Sequence, residues 1–133
     1  MRKFLLFAVT SALALPAISG QPNWVIFKET PNTSTAYYDA NSSYYGDGNV
    51  YVWVMIKYPR PLLWPFINIA VDKIYFRENY PCDNHEHFYT HQDNLYYLGD
   101  SWVYSDLKPL TITFAPGSDG DQERDYFCSK LKH

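Results

Sequence analysis

Between Asn49 and Tyr58 the chain alternates two sets of apolar side chains. Val50, Val52, Val54 and Ile56 form one set, Tyr51, Trp53 and Met55 the other, and Lys57 ends the series. Successive strand residues point to opposite faces, so this segment reads as a strand that is apolar on both sides. A sheet with one wet face would alternate apolar with polar. The segment is therefore expected at the centre of a sheet, with one face under a helix and the other under a loop or a second subunit.

Around it the period stays at two. Trp24 to Glu29 and Ala36 to Ala40 read as strands on either side of the turn cluster Pro31 to Ser34. Asn41 to Asn49, with Ser42, Ser43, Gly46, Asp47 and Gly48, reads as a turn region. Three prolines between Pro59 and Phe66 predict a break in the sheet, which leaves Leu62, Leu63, Trp64 and Phe66 on a loop. A strand from Ile69 to Tyr80 follows, with Ile74 and Phe76 on one face and Tyr75 and Arg77 on the other. His85 to Tyr97 reads as one or two strands, Ser101 to Ser105 as a short one, and Leu110 to Phe114 as another of open pairing.

The last segment changes period. Pro116 and Gly117 end the extended structure and Ser118 is placed as the N-cap of a helix. Asp119, Asp121 and Glu123 sit at its start and Lys130 and Lys132 at its end, as the helix dipole favours. Phe127 and Leu131, one turn apart, are expected to dock on the sheet; Gly120 weakens the helix. The fold class is thus α+β: a single antiparallel sheet of about six strands with a C-terminal helix.

Residues 1–20 read as a secretory signal peptide, with Arg2 and Lys3 ahead of the uncharged run from Phe4 to Ala17 and small residues at Ser19 and Gly20. That run is too short for a bilayer span and no lipidation cysteine follows it. The remaining 21–133 fit one domain without a transmembrane span. Loss of Arg2 and Lys3 leaves nine basic against 14 acidic residues, a net charge of −5. Such a balance opposes nucleic-acid binding and any polybasic membrane patch. In an exported chain the only two cysteines, Cys82 and Cys128, are expected to form a disulfide; the alternative is two free thiols or a redox site, for which C-x-x-C spacing is missing. A bridge closing about 47 residues stabilises by roughly 4 kcal/mol.

His85, His87 and His91 are the one local constellation with ligand chemistry. On a strand they share a face, which suits Zn²⁺, Cu²⁺ or haem, yet no known zinc spacing is present. The competing reading is solvated surface histidines, and no cofactor is assigned. No nucleophile elbow, acid–base pair or phosphate loop is found, so an enzyme is not expected. The 13 Tyr, 8 Phe and 4 Trp exceed what one small core readily buries. Tyr51, Trp53 and the segment Leu62, Leu63, Trp64 and Phe66 are candidate protein-binding residues, because such rings add contact area at interfaces.

An ordered series of short pieces from Trp24 to Cys128 carries a resemblance. Trp24 opens the first strand, Tyr37-Tyr38-Asp39 ends the second, and Gly48-Asn49-Val50 leads into Val52-Trp53-Val54. Cys82 closes the fourth, and Tyr104-Ser105 and Pro116-Gly117-Ser118 precede the helix with Cys128. The chain resembles the surface-adhesin protein E-like family of small exported bacterial proteins. The resemblance implies a sheet with a disulfide-held helix, a periplasmic, surface or secreted location, dimers, and binding of host extracellular-matrix or other proteins. It carries over no binding residue. The alternatives are a periplasmic small-ligand, metal or haem module and a structural envelope dimer.

Overall fold

A computed structural model describes residues 20–83 and 86–132. It contains β1 (Trp24–Thr30), β2 (Ser34–Asp39), β3 (Tyr44–Gly46), β4 (Asn49–Trp64), β5 (Ile69–Pro81), β6 (Phe88–Leu98), β7 (Ser101–Asp106), β8 (Leu110–Thr113) and the helix α1 (Asp119–Leu131). All strands join one antiparallel sheet in the order β1-β2-β4-β5-β6-β7, with β3 also on β4 and β8 also on β6.

The sheet has eight strands, where about six were expected. Its width is still six, because two positions are each filled by two short strands end to end. β2 pairs with Val54–Lys57 of β4 and β3 with Asn49–Tyr51; β7 pairs with Asn94–Leu98 of β6 and β8 with Phe88–His91. β3 was hidden in a turn-rich stretch. Asp47 and Gly48 both have positive φ (53° and 82°), the backbone of a two-residue hairpin turn whose twist matches its strands.

The break expected at Pro59–Phe66 is also corrected. β4 runs on to Trp64, and Leu62, Leu63 and Trp64 pair with Val71, Ala70 and Ile69 to make a two-stranded arm. The register shifts between Lys57 and Leu62, and Pro59 and Pro61 fall in that irregularity. Proline cannot donate to a ladder, so it is tolerated where the ladder is already interrupted.

α1 packs on the valine face of β4. Val50, Val52 and Val54 are buried there with Tyr38, Ile74, Phe76 and Tyr80 around Phe127, which is 0% exposed. Phe127 meets Phe27, Tyr38 and Tyr80 at centroid distances of 4.8, 5.4 and 5.8 Å. The Cys82–Cys128 disulfide ties the helix to the end of β5, with Cα atoms 5.8 Å apart. Beside it Lys132 pairs with Asp83 at 2.7 Å. The buried Arg124 donates to the Glu86 carbonyl at 2.6 Å and pairs with Asp121.

Ser118 is the N-cap residue, but its side chain makes no capping bond; its hydroxyl donates to the Ala115 carbonyl. Asp121 accepts the Gly117 N–H at 2.6 Å instead. Gly120 has a packing reason: a Cβ there would lie 2.8 Å from Cγ of Phe114.

Two outcomes follow for stability. Phe127→Ala is expected to cost about 3–5 kcal/mol, read from denaturant midpoints at constant m. Gly120→Ala, which in an open helix stabilises by about 1 kcal/mol, is expected here to lower the midpoint, because the Phe114 ring must move.

Candidate binding surfaces

Three surfaces gather the sequence candidates, and the two faces of the sheet separate them. The face away from α1 carries Tyr51, Trp53 and Met55 of β4. Side chains from neighbouring strands, rather than a helix, cover much of it. Tyr44 stacks on Tyr51 at 4.8 Å, the Arg77 guanidinium lies 5.6 Å from the Trp53 ring, and Trp24 reaches Tyr75 at 5.7 Å. Tyr75 in turn meets Tyr97 at 5.3 Å, and Trp102, paired with Tyr97, is 63% exposed. Arg77 is held by Asp93. The buried Asn79 Oδ1 finds no donor among the described residues. Tyr51 and Trp53 are thus half-buried members of an aromatic stripe running across the strands.

The second surface is the arm. Trp64 turns inward, 6.3 Å from Tyr58 and 5.5 Å from Tyr96, and is half-buried. Leu63 and Phe66 point away from packing and are 66% and 94% exposed; Leu62 is also exposed. The four expected partner residues therefore split, with Trp64 part of the fold and the other three at the surface. An exposed apolar cluster of this kind marks contact sites more often than a lone exposed leucine does.

The third surface lies on the α1 face, where the helix leaves part of the sheet bare. A trough of about 590 Å³ runs between α1 and the arm. Ala36, Val54, Ile56, Ile74 and Phe76 contribute to its floor, Trp64 and Phe66 line it from the arm, and Glu123 lines it from the helix. Glu78 is buried in this apolar setting. Its Oε1 accepts the Tyr80 hydroxyl at 2.9 Å, and its Oε2 lies 3.3 Å from His91 Nδ1. The Tyr80 oxygen is also 3.1 Å from Glu123 Oε1, and Lys28 Nζ bridges Glu123 (3.3 Å) and Asp119 (3.2 Å).

Burial raises the Glu123 pKa, and the Glu78 charge adds to it, while Lys28 offsets only part. Burial alone would lower that of His91, but the bonds to Glu78 and to Asn94 (2.7 Å from Nε2) outweigh it and the pKa is raised. Burial also lifts the Tyr80 and Tyr89 phenols, so both stay protonated at neutral pH.

The histidines do not act as one group. His91 is engaged by Glu78 and packs at a tilt against Phe76 at 4.4 Å, whereas His87 faces Asp121 at 4.0 Å and Phe114 at 5.7 Å. His85 lies outside the described residues. Among the described residues no group of three or more His, Cys, Asp or Glu is placed to hold a metal ion. Glu78 and Glu123 were missed in the sequence, although a signal existed for the first. Period two puts Glu78 on the same face as Ile74, Phe76 and Tyr80, a carboxylate in an apolar register.

With this geometry in hand, the chain is similar to a solved structure of Haemophilus influenzae protein E in its selenomethionine form. The match covers 85% of this chain and 91% of that one at a TM-score of 0.58 and 13% identity. At that identity the likeness establishes a protein E-like fold. No family model matches the chain, and no curated protein matches it. No described helix is long and apolar enough to cross a membrane. The disulfide is consistent with an exported protein; the signal peptide expected at 1–20 lies, but for Gly20, outside the described residues.

The charge cluster has a pH signature. Raised folded-state pKa values mean the folded chain holds protons that the unfolded chain has released, so stability falls as pH rises. For Glu123 this begins near its unfolded value of 4.5, and for His91 near 6.5. Asp83 and Asp121, held low by Lys132 and by the Gly117 N–H, act only toward or below 3.8. The denaturant midpoint is expected to fall as pH rises past about 6.5, and His91→Gln to flatten that fall.

Proposed function

We propose that this domain is an exported, non-catalytic binding module that takes hold of another protein through the end of its β4–β5 arm. The observation that carries the reading is the exposure of Leu63 on the paired end of β4 and of Phe66 in the turn that joins it to β5. An apolar anchor on an ordered arm loses little conformational entropy on binding, which favours affinity. The stripe of half-buried Tyr51 and Trp53 with exposed Trp102 offers a second, broader contact on the opposite face. The protein E-like fold and the sequence resemblance support an adhesin-like role, with host extracellular-matrix or envelope proteins as the partner class.

The test is retention of separate matrix-protein and envelope-extract preys on the purified domain. Leu63→Ser/Phe66→Ser changes two exposed side chains and is expected to fold as wild type. It should weaken the captured partner by about 10- to 100-fold, the scale of a lost anchor. Undiminished retention by a folded double variant would remove the arm from the binding surface. Absence of retention by wild type from either prey would overturn the reading itself.

A further inference from the structure

The trough has the size and chemistry of a ligand site as well as a place in the fold. Its volume of about 590 Å³ falls within the roughly 300–1,000 Å³ of small-molecule sites, which pair apolar walls with a few placed polar groups. Three carboxylates, Glu78, Asp106 and Glu123, line it against one lysine, Lys28, and His91. Lys28 is itself divided between Glu123 and Asp119. The Tyr80 hydroxyl has one proton to give and two carboxylate oxygens within 3.1 Å, so it cannot satisfy both as a donor. The helix end of the trough is short of positive charge.

We propose that the trough binds an organic cation with an apolar body, its ammonium against Glu123 and its tail over Ile56 and Ile74 toward Tyr96 and Trp64. The charge pattern disfavours an anion, which would meet Glu78 and Glu123. A neutral tail would leave the crowding of the two carboxylates unrelieved. The Tyr89 ring, also lining the trough, adds a face suited to a cation. An extended peptide is a poorer occupant. β4 and β5 are central strands with partners on both sides, so the floor offers no free ladder to pair a peptide backbone. The site shares Phe66 with the exposed tip of the arm, but its charged end at Glu123 lies on the helix.

A charge series with one tail tests it: octylamine, octanol and octanoate, each below its micellar concentration near pH 7. Amide and indole N–H shifts of the full domain would be followed by NMR, with the Trp64 indole assigned through Trp64→Phe. Octylamine is expected to bind at least about tenfold tighter than the other two, moving signals of Trp64, His91 and Tyr96. Lys28→Met removes the competing internal cation and is expected to tighten octylamine severalfold. Glu123→Gln is expected to erase the preference. Equal binding of the three probes, shifts confined to the Trp24–Trp53 face, or no gain in Lys28→Met would each overturn the proposal. Should Glu123→Gln fold poorly, the wild-type series and Lys28→Met still decide.

Discussion

The seat of Phe127 on Val50, Val52 and Val54 organises the rest of the molecule. It covers part of one face of the sheet, and the Cys82–Cys128 bridge holds it in place from the side. The helix that provides it has only 13 residues, about 20 Å at the usual rise, whereas β4 has 16 residues and extends about 50 Å. A helix of that length cannot cover the whole face however it is laid. The trough beside it follows from this mismatch, and so does its mixed lining. Residues that would be core under a longer helix are left facing a groove.

The buried Glu78 and the half-buried Glu123 sit where that partial cover ends. Glu78 is tolerated because Tyr80 and His91 bond to it, and Glu123 because Lys28 reaches it from β1. Burying a carboxylate without such partners is costly, so the pKa values of Glu123 and His91 are raised and the hydrogen bonds concentrate at this one point. The protein carries its tension between charge and burial at the lip of the trough, a common arrangement at binding sites.

Much of the fold was legible. The two apolar faces of β4 announced a central strand, the change of period after Pro116 announced the helix, and the cysteine pair announced its tether. Other features were not. β3 was concealed because Asp47 and Gly48 make a hairpin turn only when Tyr44–Gly46 finds the Asn49–Tyr51 edge of β4. The arm was concealed because prolines forbid a continuous ladder but not one interrupted at a bulge. The histidine cluster looked like one unit along the chain, yet His87 and His91 face different carboxylates in space.

The sequence by itself determined the periods, the two-faced strand, the helix and the covalent tether, since these depend on neighbours a few residues apart or on two unique thiols. Only the tertiary structure decided which aromatic rings stay exposed, that Trp64 folds inward while Phe66 does not, and that Glu78 meets Glu123 across one tyrosine hydroxyl. Those contacts join residues separated by tens of positions, such as Tyr80 and Glu123 or Lys28 and Asp119. Their geometry is set by strand order, strand register and helix length acting together, and none of these has a local signature.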